Sequence, residues 1–180
     1  RITRFVEKPK EKEVQDSLVL EKDWYPKLGI EGDDELFLAS MGIYVFNRDV
    51  MLKLLENDLT DFGKHIIPGA IKTHKVCSYV FQGYWEDIGT IRSFFNANID
   101  LTAELPRFNF FDMKAPIYTR PRFLPATKIN GAEISHSIIS DGCILNYATL
   151  SHTLVGIRST VGAGTRIHRC ILLGADYYES

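Results

Sequence analysis

The chain has 180 residues, 45% of them hydrophobic and 24% charged, with 21 Lys and Arg against 23 Asp and Glu. That balance supports one or two folded domains and excludes wholesale disorder and a generally basic nucleic-acid surface. No apolar run approaches the ~18–20 residues of a membrane-spanning helix, so no membrane partner is expected.

The chain opens on a strand-like run, Arg1-Ile2-Thr3-Arg4-Phe5-Val6, with no Met and no signal or transit segment, as expected of a cut made inside a domain. Asp16 to Asp34 is polar and charged and predicts a surface loop or small helix. Leu36 to Phe46 is a long apolar run, β-branched and aromatic toward its end, and predicts a buried strand. Asn47 then caps a helix with Val50, Met51, Leu54 and Leu55 on one face. Asp61 caps a second helix containing Ile66, Ile67, Ala70 and Ile71, disturbed by Pro68. Val76 to Phe81 predicts another strand, and Thr90 caps a third helix bearing Phe94, Phe95 and Ile99. This alternation over residues 1–103 implies an α/β layer.

Residues 104–128 hold Pro106, Pro116, Pro121 and Pro125, four of the seven prolines. Proline removes a backbone donor, so no regular helix is expected. Phe108, Phe110, Phe111, Ile117, Tyr118 and Phe123 are too apolar for a free linker, and a packed strap is predicted.

From Ile129 to the end, short apolar pairs recur. His136-Ser137-Ile138-Ile139 is echoed by His152-Thr153-Leu154-Val155 and by Arg169-Cys170-Ile171-Leu172. Ile144, Leu150, Val161 and Ile167 divide the period into steps near six. A three-part repeat near 17–18 residues predicts a parallel β-solenoid with triangular coils rather than a β-sandwich. Gly142, Gly156, Gly162 and Gly164 are assigned to its corners. The spacing of His136, His152 and His168 is that of recurring corner positions. It argues against a hexapeptide-repeat acyltransferase, which needs a catalytic histidine. Cys77, Cys143 and Cys170 are far apart and are taken as small buried apolar residues.

Four places carry residues suited to chemistry. Glu7-Lys8 ends the first predicted strand, where a carboxylate accepts hydroxyl hydrogens and an ammonium offers a point charge to phosphate. Ser40 and Gly42 interrupt the apolar run with a hydroxyl and a site of close approach. Tyr84-Trp85-Glu86-Asp87-Ile88-Gly89-Thr90 places Asp87 at a strand-to-helix junction, able to face a hard cation while Thr90 caps. Arg120, Arg122 and Lys128 form a small basic cluster suited to an anion.

Six segments, in this order, resemble one family. They are Phe5-Val6-Glu7-Lys8-Pro9, Ala39 to Phe46, Asp61 to Pro68, Tyr84 to Thr90, Pro121-Arg122-Phe123-Leu124-Pro125 and Gly174-Ala175-Asp176-Tyr177-Tyr178-Glu179. The chain is similar to glucose-1-phosphate adenylyltransferase, the ADP-glucose pyrophosphorylase family, closest to its cyanobacterial and plant type. The resemblance implies an α/β, Rossmann-like nucleotidyltransferase domain followed by a left-handed parallel β-helix. Their expected extents are 1–103 and 129–180, joined by the connector 104–128.

The implied reaction joins ATP and glucose 1-phosphate into ADP-glucose and pyrophosphate with Mg²⁺, in glycogen or starch synthesis. The resemblance assigns Glu7 and Ser40 to glucose, Lys8 to the sugar or its phosphate, and Trp85 to the sugar pocket. It gives Asp87 to the metal as one of two carboxylates, and Arg122 to a regulatory anion site. It further implies tetramers controlled by a metabolite effector, in the bacterial cytoplasm or, for a plant source, the plastid. The family's Gly-rich nucleotide loop, Gly-Gly-x-Gly-Ser/Thr-Arg-Leu, has no counterpart here. An internal fragment without turnover of its own is therefore expected. The alternatives are a non-catalytic regulatory subunit and a pyrophosphorylase for another sugar 1-phosphate.

Overall fold

The computed structural model describes residues 1–178. Its contacts divide into two units, Arg1–Gln82 and Gly83–Ser180.

Local caps and turns organise the first unit. Helix α1 is Lys12–Asp16, α2 is Arg48–Leu54 and α3 is Ile67–Thr73. Asn47 stands at the N-cap of α2 as expected, although its side chain makes no capping bond. Asp61 accepts from the Lys64 amide and opens a π-helical turn, Phe62–Ile66, that runs into α3. Pro68 sits in the first turn of α3, where its missing N–H costs nothing. Ile66, Ile67 and Ala70 from this pair of turns are buried, as is Tyr25. The polar excursion forms two short 3₁₀ turns, Lys22–Trp24 and Pro26–Leu28. Tyr25 pins it, donating its hydroxyl to the Asp34 carbonyl and accepting from the Leu36 amide.

The three strands expected in this unit do not form ladders. Among the described residues, the runs 1–6, 36–46 and 76–81 carry a single bridge, Val19 to Phe37, with the Leu20 amide donating to the Leu36 carbonyl beside it and the Ile2 amide to the Val76 carbonyl. The run 36–46 is also interrupted. Ser40 Oγ accepts from the Gly42 amide, and Gly42 adopts φ +72°, which turns the chain. Without a partner strand the apolar side chains stay uncovered, with Val45 98% and Tyr79 89% exposed. Cys77 in the last run is likewise exposed, and of the three cysteines only Cys143 is buried.

In the second unit, α4 is Ile91–Asp100. Thr90 and Ser93 form a reciprocal capping box at its start, and Ile99 is buried on its core side. The proline-rich segment after it is not the packed strap expected. Leu105, Phe111, Met113, Tyr118 and Phe123 stand almost fully in solvent. Its order is local: Phe108 packs with Tyr84 and Phe110, and the Asn109 and Asp112 side chains accept from amides two residues on. The prolines fix φ and remove donors, so the segment has no ladder with which to lie down.

The remainder of the described residues is a three-sided parallel β-helix of nine short strands. They are β1 Lys128–Asn130, β2 Glu133–Ser135, β3 Ile138–Ile139, β4 Ile144–Asn146, β5 Thr149–Ser151, β6 Leu154–Val155, β7 Thr160–Val161, β8 Arg166–His168 and β9 Ile171–Leu172. Every third strand pairs in parallel, giving three sheets ordered β1-β4-β7, β2-β5-β8 and β3-β6-β9. The inward column on the first face is Ile129, Leu145 and Val161, so Leu145 fills the prism rather than Ile144. The other two columns are Ile134, Leu150, Ile167 and Ile139, Val155, Leu172. Leu145, Leu150 and Val155 of the middle coil are the most buried because a coil covers them on each side. The register advances 16 residues at Leu145↔Val161 and 17 at Leu150↔Ile167. The extra residue lies in the turn Gly162–Thr165.

The corners also stack. Gly131/Tyr147/Gly164, His136/His152/Arg169 and the pair Gly142/Arg158 stack in register and all take positive φ, while Gly174, also of positive φ, lies over Ile157, one residue early. His136 and His152 are therefore corner residues, their rings stacked at 4.8 Å, while His168 lies one residue early, within β8. Of the expected corner glycines, Gly142 and Gly164 fit this scheme, and Gly156 and Gly162 do not.

Gly156 is instead a point of backbone contact. A β-carbon there would meet the Leu173 carbonyl carbon and oxygen at 2.5 Å, whereas one at Gly162 would meet nothing within 4 Å. Gly156→Ala is expected to destabilise by about 1–3 kcal/mol, and Gly162→Ala to be nearly neutral. Thermal unfolding of the two variants side by side checks this, and equal melting shifts would contradict it.

Candidate functional site

In the first unit, Glu7, Ser40 and Asp61 converge on one open cavity of about 410 Å³, together with Tyr44 and Phe62. Glu7 arrives from the N-terminal run, Ser40 and Tyr44 from the Gly42 turn, and Asp61 and Phe62 from the start of the helical turn before α3. Ser40 Oγ lies 3.1 Å from Tyr44 Oη, so the two hydroxyls form a linked donor–acceptor pair. The Tyr44 ring stacks on Phe62 at 6.1 Å between centroids, and Phe46 meets Phe62 edge-on at 6.1 Å. A flat apolar face thus stands beside a group of hydroxyls and carboxylates.

The two carboxylates are held differently. Glu7 makes no side-chain hydrogen bond among the described residues, and its nearest cation is Lys8 Nζ at 3.9 Å. Its oxygens are free acceptors. Asp61 Oδ1 accepts from the Lys64 amide at 2.9 Å, and Lys64 Nζ stands 3.5 Å from Oδ2. The amide bond chiefly holds the Asp61 carboxyl below the usual carboxylate range. Lys8 has φ +45°, and its side chain is 91% exposed, so its ammonium projects into solvent beside Glu7.

Trp85 and Asp87 lie in the second unit, both exposed. Asp87 Oδ1 accepts from the Gly89 amide at 2.8 Å, which fixes the carboxylate in a small turn just before the Thr90 cap. One of its oxygens is thus engaged and the other open. Magnesium prefers several hard oxygen ligands. Among the described residues no group of three or more His, Cys, Asp or Glu could hold a metal. Asp87 offers one carboxylate where an ion would need several oxygen ligands, so no chemical step is assigned to a metal.

Arg122 lines a second cavity, about 550 Å³, with Arg120, Arg158 and Asp176. Arg122 is folded back on the Arg120 carbonyl at 3.3 Å, and Arg158 donates to the Ala175 carbonyl at 3.1 Å. Three guanidinium groups against one carboxylate give this cavity a net positive lining.

Of the residues singled out from the sequence, the structure brings Glu7 and Ser40 to one cavity. Sequence reasoning read Asp61 solely as a helix cap and assigned nothing to Tyr44 or Phe62. The available signal was the Asp61-Phe62 pair, a carboxylate and a ring together at a helix start. Asp61 caps the turn with Oδ1, has Lys64 Nζ 3.5 Å from Oδ2, and also lines the cavity.

Two comparisons bear on these units. Residues 1–104 match the Nucleotidyl transferase family model. Residues 122–180 match the GLGC left-handed parallel beta-helix domain, in agreement with the three-sided coils. No helix of the described residues is long and apolar enough to cross a membrane. With more than half of its length matched by the first model and most of the rest by the second, the chain belongs to the nucleotidyl transferase family and carries the domain pair of the glucose-1-phosphate adenylyltransferases.

Proposed function

We propose that the first unit supplies the sugar 1-phosphate site of a glucose-1-phosphate adenylyltransferase, the enzyme that makes ADP-glucose and pyrophosphate from ATP and glucose 1-phosphate. The observation that carries the reading is the cavity where two carboxylates and two hydroxyls face an aromatic pair. A hexose presents hydroxyl donors on its rim and C–H groups on its faces. Glu7 and Asp61 accept from the hydroxyls, Ser40 and Tyr44 bridge a further one, and the Tyr44–Phe62 stack takes the apolar face. To Lys8, whose ammonium is beside Glu7 and open to solvent, we assign the phosphate that hangs from the sugar.

In the reaction, a phosphate oxygen of the sugar phosphate forms the new bond to the α-phosphorus of ATP as the bond to pyrophosphate breaks. The residues here hold and orient the attacking partner, a contribution of positioning. We assign Trp85 to the sugar pocket wall and Asp87 to the metal-facing carboxylate on the family resemblance, with Mg²⁺ as the cation, tetramers as the assembly and storage-glucan synthesis as the setting. The Arg120–Arg122–Arg158 cavity is proposed as the anion site through which a phosphorylated metabolite acts.

Glu7→Gln and Asp61→Asn each remove a charged acceptor. Each is expected to weaken glucose 1-phosphate binding roughly 10- to 100-fold, the scale of a hydrogen bond to a charged group. Calorimetric titration with glucose 1-phosphate measures this, and unchanged affinity in both variants would falsify the site. Because the 180 residues contain no Gly-rich triphosphate loop, the purified chain with ATP, glucose 1-phosphate and Mg²⁺ is expected to release no pyrophosphate. A phosphate-release assay coupled to pyrophosphatase detects any that forms. Arg122→Ala should weaken inorganic phosphate binding at the second cavity about 10-fold and leave glucose 1-phosphate affinity unchanged. The same titration, repeated with phosphate, reads both.

A further inference from the structure

Gly63 stands within the helical turn Phe62–Ile66 that carries Asp61 at its cap. Its backbone does not call for glycine, because it is not among the residues with positive φ. Glycine inside a helical turn is a weaker choice than alanine, since it has more freedom to lose on folding. What Gly63 supplies is room. A β-carbon there would run into Glu7 Oε2 and lie 3.0 Å from Glu7 Cδ, with Asp61 Oδ1 3.6 Å away. Both carboxylates of the cavity therefore approach the same point, the bare Cα of Gly63. The Glu7 side chain is only 28% exposed although no hydrogen bond holds it.

We infer that Gly63 is a positioning residue for the sugar site, the floor over which the Glu7 carboxylate lies beside Asp61. The atoms in conflict with a methyl group are the far end of a flexible side chain. A substitution thus displaces the carboxylate and leaves the fold intact. The inference rests on the reading of this cavity as the sugar 1-phosphate site.

The test combines melting with titration by glucose 1-phosphate on the full 180-residue chain. Gly63→Ala is expected to keep or raise the melting temperature and to weaken glucose 1-phosphate binding roughly 5-fold or more, the loss of one hydrogen bond's contribution. Adding Glu7→Asp to Gly63→Ala shortens the side chain by one methylene, clears the methyl group, and should recover part of the affinity. A merely structural role for Gly63 predicts no such recovery. Wild-type affinity in Gly63→Ala, alongside weakened binding in Glu7→Gln, overturns the inference while the sugar site stands. Wild-type affinity in both variants, or no binding by the parent chain, overturns the sugar site and the inference with it. A ligand-free cycle settles the contact itself. Gly63→Ala should raise the melting temperature more in a Glu7→Ala background than in wild type, and equal shifts in the two backgrounds overturn the contact.

Discussion

The backbone of an extended segment carries N–H and C=O groups that a single strand cannot satisfy alone, and most of this structure follows from where they find partners. In the β-helix each strand finds one a coil away, and the corners are held by the same ladder. The amides of Tyr147, His152 and Arg169 donate to carbonyls of the preceding coil, those of Asn130, Ser135 and Ser151. That cross-bonding holds residues with side chains in a left-handed conformation that favours glycine. Five of the eight stacked corners are His136, Tyr147, His152, Arg158 and Arg169, so the ladder, not glycine content, determines the corner. Gly131 is kept bare for a different reason: the Tyr147 ring occupies the space its β-carbon would take.

The first unit has no such ladder among its described residues, and side chains take over the organisation. Tyr25 ties down the polar excursion, Ser40 makes the Gly42 turn, Asn57 closes the chain after α2, and Asp61 starts the turn into α3. Each bond joins groups close in sequence. Such a unit keeps a small core, Tyr25, Ile66, Ile67 and Ala70, and leaves its apolar runs uncovered. The cavity is built from these same local turns, and this explains why its polar groups are already oriented.

This difference also determines what could be read in advance. The β-helix was legible because its period appears twice in residue type, once at 16 and once at 17. Which of two adjacent apolar residues points inward was not legible. Ile144 and Leu145 are alike in composition, and the neighbouring Ile129 and Val161 decide in favour of Leu145. His168 looked like a third corner because the count assumed a constant step, and the added residue in Gly162–Thr165 moves the corner to Arg169. In the first unit, apolar runs predict strands only if a partner is paired with them, and pairing is a long-range fact that no run contains. Caps are local, so Thr90 and Asp61 were readable as caps. That Asp61 also shares a cavity with Glu7 and Tyr44 was not, because those residues are far away in the chain.

Asp61 and Asp87 show how one local device leads to different chemistry. Each gives Oδ1 to a nearby amide, that of Lys64 in one case and Gly89 in the other. In Asp61 the donating amide belongs to the third residue of a helical turn, and the carboxyl is held below its ordinary range. Its folded-state proton affinity is therefore lower than in the unfolded chain. Its contribution to stability is present above the unfolded carboxylate range, near pH 4, and is lost as pH falls through its own lower value. The group that starts the turn into α3 is thus charged across the whole neutral and mildly acid range. As long as it is charged it accepts hydrogen bonds and never donates one, which is what a cavity selecting hydroxyl donors requires. Asp87 leaves capping to the Thr90–Ser93 box, so its carboxylate is oriented by its turn without being part of a helix. A carboxylate fixed in this way keeps one oxygen directed outward at no cost to the helix behind it. The hydrogen bonds divide the labour: Asp61 ties a cavity-lining carboxylate to the start of a helical turn, and Asp87 is held by its own turn without capping a helix.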